Sequence, residues 1–220
     1  VLASDAKLHE WLEENPNNFT ALTAEAERLL AAKKWAEAKV PLEKSIELYP
    51  EQHDAGGAHA MLAKVHRELG ESAEEEAMLN KVAELCSDAP DAYARLAEIA
   101  SARKDWKAVL ANAGRFTAVN PLAPEPHRSI AEAREATGDK PGAIRAYRTV
   151  LALNPPDQPE IHFRLARLLH ATGDAAAKRE LLLALEEAPR FREAHALLLE
   201  LDAKSQGMRT EPAAKTGAPK

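Results

Sequence analysis

The chain has 220 residues, 45% of them apolar and only 5% aromatic, so its core is drawn from alanine and leucine, a composition suited to closely packed helices. Thirty-five acidic against 29 basic side chains leave a net charge of −6, which gives no general attraction for nucleic acid. A single cysteine, Cys86, excludes an internal disulfide and a multi-cysteine zinc site, and no apolar run approaches the roughly 20 residues needed to span a bilayer. The charge is uneven: residues 1–89 carry 9 basic and 18 acidic side chains, net −9, and residues 90–220 carry 20 and 17, net +3. No signal peptide is visible and the first residue is Val1 rather than Met, so the chain reads as a fragment or a processed product and its localisation stays open.

In chain order, Leu8, Trp11 and Pro16 have the spacing of a second helix whose partner is missing, which assigns residues 1–17 to a truncated preceding repeat. Leu22, Ala26 and Leu29 then lead to Trp35, Ala38, Leu42, Ser45 and Pro50; His59, Leu62, Ala63, His66 and Gly70 lead to Leu79, Val82 and a late Pro90. Tyr93, Leu96, Ala97 and Ala100 precede Trp106, Val109, Ala113, Phe116 and Pro121. Ile130, Ala131 and Arg134 precede Ala143, Tyr147 and Val150, and Leu165, Ala166 and Leu169 precede Ala177, Leu181, Ala184 and Pro189. Each set is two apolar stripes at helical spacing. The word ATGD, at 136–139 and again at 171–174, marks the turn between the stripes. Gly138, Gly173 and Gly70 are expected to end first helices in the left-handed conformation, with Lys33 and Lys104 replacing glycine in the same turn. Phe191 onward reads as a closing helix, 191–202, and residues 203–220, rich in Lys, Pro, Gly and Thr, as a disordered tail.

Five such units in phase, over about residues 19–191, resemble a tetratricopeptide repeat (TPR) array, whose unit of about 34 residues favours large, Leu, small and large residues on its first helix and Ala, aromatic, Ala and Pro on its second. The resemblance implies an all-α fold, a right-handed superhelical solenoid of antiparallel helix pairs, with repeats at about 19–55, 56–89, 90–123, 124–158 and 159–190. Ala26, Ala63, Ala97, Ala131 and Ala166 fall at the position of closest helix approach. Glu25 stands where the family favours Leu, Glu75 where it favours Ala, and Pro41 lies inside a second helix, where it is expected to cause a kink.

Chemistry is weighed against packing. His59, His127, His162 and His195 share one repeat position, which favours a packing role over metal binding, because periodic placement spreads them along the array. HEWLE at 9–13 lacks the second histidine of HExxH, and there is no GxGxxG or P-loop. No catalytic residue, metal or cofactor is therefore expected. The resemblance instead implies a concave groove lined by first helices. Carried over by position, its residues are Met61, Lys64, Arg67, Arg95, Arg128, Phe163, Arg164 and Arg167. They suggest an extended acidic segment or a C-terminus bound across Arg95, Arg128, Arg164 and Arg167, with Phe163 as an apolar anchor. The competing expectation is that Glu98, Glu132 and Glu160 neutralise those arginines in surface pairs worth about 0–1 kcal/mol each.

The leading function is thus a scaffold for protein–protein interaction that holds a peptide or partner protein and performs no chemistry. The alternative is the C-terminal region of a larger bacterial enzyme, such as a zinc-peptidase-like protein, serving docking or regulation. RNA binding is disfavoured by the acidic balance, and homo-oligomerisation through the face exposed at the first repeat is left open.

Overall fold

The computed structural model describes residues 5–205, without the side chains of residues 5–7, 9, 204 and 205; of the tail expected over residues 203–220, the part from 206 onward lies outside them. Within that span the helices are α1 (Asp5–Glu14), α2 (Phe19–Ala31), α3 (Trp35–Leu48), α4 (Ala58–Leu69), α5 (Ser72–Leu85), α6 (Pro90–Ala102), α7 (Trp106–Val119), α8 (Pro124–Ala136), α9 (Lys140–Ala152), α10 (Gln158–Ala171), α11 (Ala177–Glu187) and α12 (Arg192–Ser205). No strand occurs among the described residues, and no helix there is long and apolar enough to cross a membrane.

The chain divides into two compact units, Val1–Ala133 and Arg134–Lys220. In the first, α2 pairs with α3, α4 with α5 and α6 with α7, while α3 also packs on α4 and α5 on α6. In the second, α10 pairs with α11, α9 packs on α10, and α12 covers α11. Each helix buries its stripe against its neighbours in sequence, so each core cluster draws on consecutive helices. One joins Ala26, Leu29, Ala38, Leu42, Leu62 and Val65; another joins Ala63, Leu79, Val82, Tyr93 and Leu96; a third, in the second unit, joins Ala166, Leu181 and Ala194. Such stability is a sum of nearest-neighbour interfaces.

The five alanines at the expected close approaches, Ala26, Ala63, Ala97, Ala131 and Ala166, are all buried, the first and the last two with no exposed surface. A larger side chain at those positions has no room without displacing a helix.

The turns show the expected chirality and the reason for it. Gly70, Gly138 and Gly173 have φ of 76°, 81° and 74°, and Lys33 and Lys104 adopt 57° and 59°. In every case the next amide reaches back to a carbonyl five residues earlier: Lys34 to Leu29, Glu71 to His66, Asp105 to Ala100, Asp139 to Arg134 and Asp174 to Leu169, at 2.8–2.9 Å. This is the Schellman closure, which satisfies carbonyls left over at a helix end. Asp105 and Asp139 then cap the following helix by accepting from the amides of Ala108 and Gly142. The lysines tolerate the left-handed conformation because the five-residue closure holds it; glycine is preferred there and not required.

Pro41 lies inside α3, which continues from Trp35 to Leu48, and Ser45 Oγ donates to the Pro41 carbonyl at 2.8 Å. Two expectations change. Pro90 does not close the second helix of its pair, since α5 ends at Leu85; it opens α6 at the first helical position, where its missing amide costs nothing. The closing helix extends to Ser205, so residues 203–205 are helical and not part of a tail.

Candidate functional site

In the first unit a groove of about 530 Å³ lies along α4, the start of α5 and α6. Its floor is Ala60, Met61, Leu79 and Ala92, and its walls carry Lys64, Arg67, Glu68, Glu75, Asp91, Arg95 and Glu98. Of the residues expected to bind a partner, Met61, Lys64, Arg67 and Arg95 are therefore brought together. The helical period explains how: Met61, Lys64 and Arg67 succeed one another at three-residue spacing on α4.

The charges differ in what they are already doing. Arg95 is held by a carboxylate beneath it, Nε to Glu75 Oε1 at 2.6 Å and Nη2 to Glu75 Oε2 at 3.0 Å, and by Glu98 at 2.9 Å. Glu75 is 3% exposed, so this is a bidentate pair with one partner inside the protein. The bonds from Glu75, then those from Glu98, raise the Arg95 pKa above its already high value. Lys64 and Arg67 are exposed, and no ion pair engages either among the described residues.

Arg128 sits half-buried on α8 and does not line this groove. The remaining expected residues belong to α10 in the second unit. There Arg164 bonds Glu160 through Nε at 3.0 Å, lies 4.0 Å from Glu135, and donates to the Tyr147 hydroxyl at 3.3 Å. Tyr147, whose ring is fully buried, donates in turn to Glu135 at 2.8 Å, and burial raises its pKa. Phe163 packs its ring 4.8 Å from that of Phe191, and Arg167 lies over Phe163 at 5.9 Å. Phe163 thus packs against the residue that precedes α12. Arg95 and Arg164 carry the neutralising partners Glu98 and Glu160 that the competing expectation named. Lys64, Arg67 and the exposed Arg167 are the cations of the set for which no ion pair is formed among the described residues.

The histidines at the shared repeat position serve the fold. His59 is buried on α4. His127 Nε2 donates to the Pro121 carbonyl and His195 Nε2 to the Pro189 carbonyl, each at 2.9 Å, so the same ring ties the loop before two different helices. His162 Nδ1 lies 2.7 Å from Glu180. Tyr93, one repeat before His127, does the same task with its hydroxyl, donating to Cys86 and Ser87 carbonyls. Among the described residues no three His, Cys, Asp or Glu side chains converge as a metal site would require.

Burial, with a smaller contribution from Lys81, lowers the His59 pKa below 6.5. Folded His59 is thus harder to protonate than unfolded His59. Its contribution to stability is whole above pH 6.5 and declines as the pH falls from there toward the lowered folded value. The expected outcome is that His59→Phe, with a ring that does not titrate, flattens this part of the curve. Melting temperatures measured between about pH 7 and about pH 5 should fall less in the variant than in the parent protein; parallel curves would remove His59 as the cause.

The Glu75 pair is only half legible in the sequence: Glu75 stands out as a charged residue at a small-residue position, while Arg95 on α6 reads there only as a groove lining.

The structure superposes on solved helical-repeat proteins. It matches YrrB, described as a TPR protein with an unusual peptide-binding site, at 17% identity with TM-score 0.69 over 90% of this chain and 97% of that one. It matches MamA from Desulfovibrio magneticus RS-1 at 17% identity and TM-score 0.60, over 79% of this chain and 97% of that one. It matches PilF of Pseudomonas aeruginosa at 20% identity and TM-score 0.52, over 86% and 92%. The fold is that of TPR proteins. No family model matches the sequence, and no curated protein does. The TPR fold here carries Glu75 where the repeat pattern has a small residue, and the buried carboxylate is what sets the Arg95 side chain in its groove.

Proposed function

We propose that this protein is a scaffold for protein–protein interaction, holding a peptide or a partner segment in the groove of α4 and α6 and catalysing nothing itself. The observation that carries this reading is the division of labour in that groove. Glu75 and Glu98 engage Arg95, which makes a rigid wall, while Lys64 and Arg67 stand one turn apart beside Met61 with their charge unspent. Two cations at that spacing suit a carboxylate, and Met61 is an unbranched, adaptable apolar contact for the side chain next to it. The TPR fold supports the reading by precedent, since YrrB is described as having a peptide-binding site. The repeat-position histidines point the same way, being engaged in packing and loop bonds.

The partner segment is thus an extended one that ends in, or contains, a carboxylate next to an apolar residue. This narrows the acidic segment expected across four arginines to one carboxylate site on α4, because Arg95 and Arg164 already have acidic partners. The test is a peptide array of apolar residues ending in a free carboxylate, each paired with its amide. Binding of the free acids should exceed that of the amides by about ten-fold, and Lys64→Glu with Arg67→Glu should remove the difference. Equal binding of acids and amides by the parent protein would sink the assignment of the site.

A further inference from the structure

A second groove, of about 670 Å³, lies on the first unit between α1 and α3 with α2 as its floor, and the residues of the α4 and α6 groove take no part in it. Two anomalies of the repeat pattern meet there. Glu25 stands where the repeat favours Leu, and Pro41 stands inside a helix; both line this groove. Beside Pro41, Val40 is 71% exposed, a β-branched aliphatic residue on open surface. Leu12, Leu22 and Leu29 complete an apolar floor and wall.

The shape is that of a helix-wide channel. On α3, Glu37, Val40, Pro41, Lys44 and Glu47 follow the spacing of a single helical stripe, about 15 Å long at about 1.5 Å per residue. Leu22, Glu25 and Leu29 form the matching stripe on α2. The described rim carries Glu13, Glu25, Glu37, Glu43 and Glu47 beside Lys44, and Arg28 holds Glu25 through two bonds at 2.6 and 2.8 Å. Glu37 and Glu47 make only exposed pairs with Lys34 and Lys44 at 3.0 Å, three residues apart, and such pairs exchange partners at little cost. Glu43 is exposed and has no ion pair among the described residues. Pro41 also withholds the amide that would bond the Glu37 carbonyl, leaving an acceptor for a donor from outside the helix.

We propose that this groove docks a basic amphipathic helix of a partner protein, about ten residues long, which lays aliphatic side chains on Val40, Pro41 and Leu22 and sets Lys or Arg against Glu43 and Glu47. The assignment stands independently of the carboxylate site on α4. Charge complementarity selects the occupant, because Glu43 has no ion pair among the described residues and Glu37 and Glu47 hold only exposed, exchangeable ones, so a basic helix gains contacts there that an acidic or neutral helix does not.

The test uses the full chain and a fluorescein-labelled peptide with leucines at helical i, i+3, i+4 and i+7 spacing and lysines elsewhere. A composition-matched scramble and a version with Glu for Lys serve as controls, and anisotropy is the readout. The patterned basic peptide should bind at least about ten-fold tighter than either control. Val40→Asp and Glu43→Lys should each weaken it by about ten-fold, and Glu74→Lys, an equal charge change on exposed α5, by less than about two-fold. Both altered side chains are exposed, so the melting temperature should stay at the parent value. Three results would each overturn the proposal: equal binding of patterned and scrambled peptides, equal loss in Glu74→Lys, or a parent dimer in sedimentation that Val40→Asp dissociates, which would make the occupant a second copy.

Discussion

Replacing Arg95 with Met should destabilise the protein by about 3 kcal/mol, more than replacing its partner Glu75 with Ala. The asymmetry follows from where the two charges sit. Arg95 keeps 29% of its side chain exposed and can turn to water and to Glu98 when Glu75 is removed, whereas Glu75 is 3% exposed and a methionine in place of Arg95 leaves its carboxylate without its charged partner. Leaving a carboxylate buried without its partner costs about 3–5 kcal/mol, and losing a pair together with its burial cost is close to neutral. The double variant Arg95→Met with Glu75→Ala should therefore recover most of the loss, since the alanine restores the residue type that the repeat favours. Urea denaturation of the four proteins of this cycle measures it. A single Arg95→Met as stable as the parent would show that the pair does not hold the α5–α6 wall.

Leu181→Ala should cost about 2–5 kcal/mol, and the loss should stay local. Leu181 has no exposed surface and is the largest of the buried residues in the cluster formed by α10, α11 and α12, which it shares with Ala166 and Ala194. The two alanines, with no side chain beyond Cβ, cannot reach into the space it leaves. Because each helix packs on its sequence neighbours, hydrogen exchange should accelerate in α10 and α11 while amides of α4 keep their protection. Uniform acceleration across both units would show that the array unfolds as one cooperative body.

How much of this was legible beforehand depends on the kind of information a period carries. Burial of Ala26, Ala131 and Ala166 and the left-handed turns at Gly138 and Lys104 follow from spacing alone, since each repeat places the same position in the same surroundings. Side-chain pairing does not follow from spacing. Glu75 and Arg95 lie 20 residues apart on different helices, and their bond depends on torsions that no pattern of residue types specifies. The same holds for Arg164, whose neighbours Tyr147 and Glu135 come from α9 and α8. Pro90 departs from the template for a local reason: it falls close to the position of a closing proline, yet a proline at the first turn of a helix has no amide bond to lose and can open one instead. Two other mismatches to the repeat, Glu25 and Pro41, turned out to mark the second groove.

The left-handed lysines have a practical consequence. Lys33 and Lys104 occupy equivalent turns of the first unit, both exposed and both in a conformation maintained by the same backbone closure. Exchanged for cysteine in a Cys86→Ser background and tagged with nitroxides, they become the two ends of a molecular ruler. Its length reports how far the stack between them springs open or shut when a ligand enters, without a probe touching either groove.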